Sequence, residues 1–165
     1  MIILGIDTSC DETSVAVVEK QEDYNILSNV IASQVEIHKE YGGVHPTLAT
    51  REHEKNLTPV LGKALNQADL LKSGNSFNEV ETENDTLNEK LTKFLKSYQA
   101  PAIDAVAVTA GPGLDPCLWT GINFAQALAD NWNLPVIPVN HLEAHIISNF
   151  INESVELPAL ALIVS

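Results

Sequence analysis

Apolar and polar residues alternate in blocks along this chain, and the blocks predict its elements. "IILGID" (residues 2–7) and "SVAVVE" (14–19) are apolar runs of strand length, separated only by the polar "TSCDET", so they predict a hairpin. "NILSNVIASQ" (25–34) reads as a third strand, although its apolar positions alternate poorly. "EIHKEYGGVHP" (36–46), with Gly42, Gly43 and Pro46, reads as a loop. From Thr47 onward the apolar positions 48, 49, 57, 60, 61, 64, 65 and 68 form a helical stripe. Pro59 either kinks that helix or begins a second one.

The pattern then lapses. Residues 73–85 are polar and acidic and predict a surface insertion or flexible loop; "TLNEKLTKFLKSY" (86–98) recovers a helical period. "IDAVAVTA" (103–110) predicts a buried strand, the glycine-rich "GPGLDPCLWTG" a turn, and "INFAQALADNW" an amphipathic helix. "LPVIPVN" predicts a further strand, and Asn140 the N-cap of a helix over "HLEAHIISN". "PALALIVS" (158–165) reads as a last strand with no connection after it, which suggests a domain that continues elsewhere. A hairpin followed by alternating helices and strands argues an α/β domain with a mixed sheet.

Composition narrows the picture. At 165 residues one domain with its own core is expected. The start turns polar within a few residues and lacks a basic n-region, so a signal peptide is not expected. No run approaches the roughly 20 apolar residues of a membrane span. Cys10 and Cys117 stand too far apart for a disulfide framework, which points to the cytoplasm. The net charge of −13, nine Lys and Arg against 22 acids, argues against nucleic-acid binding by this chain alone. An RNA substrate would need its positive surface from another domain or subunit.

Three stretches could carry chemistry. His141 and His145 lie four residues apart, about 40° round a helix, the spacing at which one helix gives two imidazoles to a metal. The same spacing is compatible with two ordinary surface histidines. In the zinc-peptidase pattern Glu follows the first His directly; here Glu143 falls about 200° from His141, so that general base is missing. "DTSCDETS" gathers Asp7, Asp11 and Glu12 with hydroxyls at a turn that could hold a metal or phosphate, or could be merely solvated. The turn at Gly111 and Gly113 stands where backbone can approach a phosphate at a helix N-terminus, or simply makes a tight connection. Trp119 and Trp132 read as core or interface residues, and Cys10, beside two acids, as a poor nucleophile.

Taken in order, "GIDTSCDETSVAVVE", "SQVEIHKEYGGVHPTLATREHEKNLTPVL", "IDAVAVTAGPGL", "LPVIPVNHLEAHI" and "PALALIVS" resemble the TsaD/Gcp family, the threonylcarbamoyl transferases of tRNA modification. The resemblance spans nearly all of the chain except about 66–100, where this sequence carries its own insertion (an acidic one at about 69–100). It implies an actin/hexokinase/Hsp70-like (ASKHA) domain over 1–165, the N-terminal of two. It also implies transfer of a threonylcarbamoyl group from threonylcarbamoyl-adenylate to the exocyclic amine of an adenosine beside the tRNA anticodon. His141 and His145 match the family's ligands of one divalent metal, iron or zinc, and Asp11 and Glu12 its acidic pair near the reacting centre. Donor binding falls to Ser9, Gly111, Gly113, Ile163, Val164 and Ser165. The second domain, with a glycine-rich "GGHT" loop and the third metal ligand, lies outside this sequence, so the chain is expected to be inactive or nearly so alone. TsaB-like and TsaE-like proteins are the implied partners. A non-catalytic TsaB-like subunit is the alternative, but it lacks the paired histidines and "YGGVHPTLATREH". A sugar kinase or ATPase of the same fold is disfavoured by the histidine pair. Ala144 stands where the family usually has Gly, and "GPGLDPCLWTG" replaces a more apolar, glycine-rich form.

Overall fold

The computed structural model describes residues 1–78, 85–151 and 158–163. Strands β1 (Ile2–Asp7), β2 (Glu12–Lys20), β3 (Tyr24–Ser33), β4 (Ala105–Gly111) and β5 (Val136–Asn140) form one sheet in the order β3-β2-β1-β4-β5. The helices are α1 (Val35–Lys39), α2 (Pro46–Gln67), α3 (Asp85–Ser97), α4 (Asp115–Trp132) and α5 (His141–Ser148). The expected hairpin is present: β1 and β2 run antiparallel with Asp7 opposite Ser14, and β3 adds to β2. β4 pairs in parallel with both β1 and β5, so the sheet is mixed.

Strand alternation divides the sheet into unlike faces. Leu4 and Ile6 of β1, Val15 and Val17 of β2, and Val106 and Val108 of β4 are buried on one face. Leu57, Leu61 and Leu65 of α2, Leu91 and Leu95 of α3, and Phe124 and Leu128 of α4 complete that core. On the opposite face Gly5, Asp7, Ser14, Ala16 and Ala107 remain half-exposed and share a pocket with Ala144 of α5.

Three stretches differ from the sequence expectation, and at Pro59 an open alternative is decided. Residues 36–46 are not all loop. The N–H groups of Ile37 and His38 bond the carbonyl of Gln34, which starts α1, and buried His38 anchors it to the Gln34 side chain at 3.0 Å. Of the two alternatives at Pro59, a second helix is not found: α2 is one 22-residue helix that runs through it. Proline has no N–H for the carbonyl four residues back. Lys90 Nζ of α3 fills that place by donating to the Lys55 carbonyl at 3.2 Å.

The insertion expected at about 69–100 contributes to the core in its described parts, including the helix expected over 86–98, which is present as α3; residues 79–84 of the polar middle, 73–85, lie outside the described residues. Leu87, Leu91, Phe94 and Leu95 are buried, and Leu70, Leu71 and Phe77 pack against them. The N–H groups of Gly74 and Ser76 bond the carbonyls of Ser97 and Leu95, and Asn78 N–H donates to Asn131. Finally, the described part of the last apolar run, 158–163, is no strand: Leu160 and Leu162 are 99% and 86% exposed. A strand exists only with a ladder partner, and this run does not join β5 at the sheet edge.

Candidate metal and acid site

The parallel strands β1, β4 and β5 all end at one edge, on Asp7, Gly111 and Asn140. Ligands of open α/β sheets bind beyond such carboxyl ends. Asn140 caps α5 as expected, its side chain accepting from the N–H groups of Leu142 and Glu143 at 2.9 and 3.1 Å. The cap starts the helix at His141, so β5 delivers that imidazole directly to the end of β1.

There the two histidines meet. His141 Nε2 and His145 Nε2 are 3.1 Å apart, with the rings 4.4 Å apart at their centroids and edge to face. Two imidazole nitrogens each about 2.0–2.1 Å from one metal ion would have a separation of this size. Behind them, His141 Nδ1 lies 3.0 Å from Asp7 Oδ2. A carboxylate only accepts, so Nδ1 carries the hydrogen, and in a neutral ring Nε2 then keeps its lone pair toward His145. Carboxylate–histidine pairs of this kind hold metal ligands in their working tautomer. Among the described residues no cluster of three or more His, Cys, Asp or Glu is arranged for a metal. The histidine pair therefore offers two donors.

Asp7 is itself tightly held. Its Oδ1 accepts from Ser9 N–H at 2.7 Å, and its Oδ2 from the hydroxyl of buried Thr109 at 2.8 Å. Burial alone would raise its pKa, but the bonds from Ser9 and Thr109 and the attraction of His141 outweigh it and hold the carboxyl below its ordinary value. Asp7 was one of the candidate carboxylates of its turn; Thr109, whose hydroxyl holds it from the next strand, is the residue sequence reasoning passed over.

Ser9, buried in the same turn, has Oγ 3.4 Å from His141 Nδ1, at the long end of a hydrogen bond. Asp11 follows in that turn, half-buried, and Glu12 is exposed at the start of β2. Desolvation first, and then the Asp11 carboxylate, push the Cys10 thiol up, consistent with a poor nucleophile.

The glycine-rich turn serves chiefly as packing. A Cβ on Gly113 would stand 2.7 Å from the Ser9 carbonyl oxygen, and one on Gly121 2.3 Å from Thr8 Oγ1. These glycines let the start of α4 close on the β1–β2 turn, with Thr8 donating to the Cys117 carbonyl at 2.8 Å. Gly111, at φ 144°, has open space where a Cβ would be, so it alone of the two expected glycines borders a free volume. Trp132 is core, whereas Trp119 is 60% exposed. Ile163 lies in the irregular run 158–163, apart from the turn and the histidines in sequence and secondary structure; Val164 and Ser165 are outside the described residues. The pocket under Asp7, lined by Gly5, Ser14, Ala16, Ala107, Thr109 and Ala144, holds about 220 Å³. That is below the roughly 300–1,000 Å³ of sites that enclose a cofactor-sized ligand.

The fold defines the class. Two solved Pseudomonas aeruginosa structures superpose on most of the chain. One is described as an uncharacterized protein with similarity to peptidase YEAZ (TM-score 0.56, 18% identity, 92% of this chain and 49% of that one). The other is YeaZ itself (TM-score 0.54, 18% identity, 90% and 47%). The domain is of the actin/hexokinase/Hsp70-like type.

Sequence comparison reaches further. The family model TsaD, tRNA N6-adenosine threonylcarbamoyltransferase, matches residues 25–74 and 84–165, so α3 lies within a matched segment. The chain belongs to this family. Curated relatives of that name include those of Fusobacterium nucleatum (43% identical over 165 residues), Persephonella marina (42% over 165) and Thermomicrobium roseum (46% over 151). The chain spans 40%, 39% and 33% of their respective lengths.

Proposed function

We propose that this chain forms the metal-holding, acid-bearing part of a threonylcarbamoyl transferase acting on tRNA. The observation that carries the reading is the convergence of two Nε2 atoms at 3.1 Å with Asp7 fixing the tautomer behind them, in a chain of this family. His141 and His145 would hold one iron or zinc ion, with a third ligand from a part of the enzyme outside this chain. Such an ion supplies Lewis acidity toward the carbamoyl oxygen of threonylcarbamoyl-adenylate. Asp7 keeps His141 Nδ1–H engaged, so its Nε2 lone pair points outward. Asp11, in the turn anchored by Ser9, takes the proton from the exocyclic amine of the adenosine beside the anticodon. As that nitrogen bonds to the carbamoyl carbon, the bond to the adenylate phosphate oxygen breaks. Glu12 completes the acidic pair beside the reacting centre, and the open space at Gly111 leaves room for the donor.

The excess of acids leaves tRNA to be held by other domains or subunits. A TsaB-like partner and a TsaE-like protein belong to this reading, as does the cytoplasm, where two free thiols persist. A non-catalytic TsaB-like subunit shares the fold, but the histidine pair and the 41–46% identity to named transferases favour the enzyme.

The test joins residues 1–165 to the remaining portion of the Fusobacterium nucleatum relative and follows threonylcarbamoyladenosine in tRNA by mass spectrometry. The expected outcome is product with the unaltered segment and a loss of about 10²–10⁴-fold in Asp11→Ala, the size of a general-base contribution. An Asp11→Ala protein that transfers at the unaltered rate overturns the assignment.

A further inference from the structure

Three consecutive carbonyl oxygens of the β1–β2 turn are held by three different elements. Ser9 C=O accepts from Leu114 N–H at the start of α4 at 2.8 Å, and Asp11 C=O from Gln34 N–H before α1 at 2.9 Å. Between them, Cys10 C=O accepts from His53 Nε2 at 3.0 Å. The outer two ties are backbone bonds that almost any residue could make. The middle one depends on a single side chain.

His53 sits in α2, fully buried, and its other nitrogen faces the hydroxyl of buried Thr13 on β2 at 2.8 Å. A carbonyl only accepts, so Nε2 must carry the hydrogen, and in a neutral ring Nδ1 must then accept from Thr13. Gln34 extends the chain, its Nε2 3.4 Å from His53 Nδ1 and its Oε1 3.0 Å from His38 Nε2. Burial, the largest influence on His53, pushes its pKa down, in keeping with a neutral ring. The result is a buried polar relay running from α1 through α2 to the peptide just before Asp11.

We infer that His53 is a positioning residue for the site: as the Nε2–H tautomer it fixes the Cys10–Asp11 peptide and so sets the direction of the Asp11 carboxylate. It does this from within the core, through Cys10 and Thr13. Its consequence for transfer rests on the function proposed above; its tautomer and its hold on the turn do not.

Two measurements test it. In the 165-residue chain, long-range proton–nitrogen spectra of the imidazoles should show His53 as the neutral Nε2–H tautomer at pH 7. The Nδ1–H tautomer or a protonated ring would overturn the inference, whatever the chain does in catalysis. In the joined enzyme, His53→Leu removes both bonds, while His53→Gln keeps an N–H near the place of Nε2. His53→Leu should lower kcat by roughly 10²-fold, the usual effect of a small misplacement near the chemistry, with the donor KM within about twofold. His53→Gln should recover most of that loss. A folded His53→Leu protein with unaltered kcat, or a His53→Gln protein as impaired as the leucine variant, would reduce His53 to a packing residue. Absence of transfer in the unaltered joined enzyme would instead count against the proposed function and leave the tautomer test standing.

Discussion

The two faces of one sheet are built on opposite principles. The face under α2, α3 and α4 carries Leu4, Ile6, Val15, Val17, Val106 and Val108, each nearly or wholly removed from water. One residue along each strand, the other face carries Gly5, Asp7, Ser14, Ala16 and Ala107, small or polar and half-exposed. A period of two residues is all that separates a packed core from a candidate site. The first face turns hydrophobic area into stability and fixes the strand register. The second uses that rigidity to hold a carboxylate against a histidine 134 residues away in sequence. Rigid elements place site groups more closely than free loops do.

Substitutions on neighbouring residues of β1 separate the two faces most strongly. Leu4→Ala on the covered face should cost about 2–5 kcal/mol in urea unfolding. Ile3→Ala, on the open face, should stay within about 1 kcal/mol. Equal costs would mean that the open face is as tightly packed as the core. Next in size, Asp7→Asn removes the charge behind His141 and should weaken zinc binding by about 10–100-fold in calorimetric titration. Undiminished affinity would leave Asp7 a structural residue only.

The smallest effect is a pH dependence from the covered side. His53 has a folded-state pKa below its unfolded value near 6.5. Its contribution is therefore complete above about pH 6.5 and is lost as pH falls through the lower folded value, where the buried ring must take up a proton. Stability should rise with pH in that window by up to about 1.4 kcal/mol per unit, and the rise should shrink in His53→Gln. An unchanged slope in that variant would assign the dependence to other groups.

What was legible in the sequence was local. The hairpin, the Asn140 cap and the placement of both histidines on one helical face follow from short-range periodicity and capping chemistry, and all are present. Long-range encounters were not legible. Nothing near Asp7 signals that β5 and α5 will bring His141 to it, and nothing near His53 signals Cys10 and Thr13. Composition also misled. Gly42, Gly43 and Pro46 hid the five-residue α1, and the acidic stretch 73–85 hid not the helix after it, which its period predicted, but that this helix and Phe77 pack on the core. The run at 158–163 shows the converse: apolar character without a strand to pair with yields exposed leucines.

In the proposed function the open face offers two donors of an incomplete metal site, and metal titration of the 165-residue chain tests this most directly. Cobalt or zinc should bind weakly at one equivalent, and the binding should vanish in His145→Ala. A tight, stoichiometric site that survives His145→Ala would contradict it.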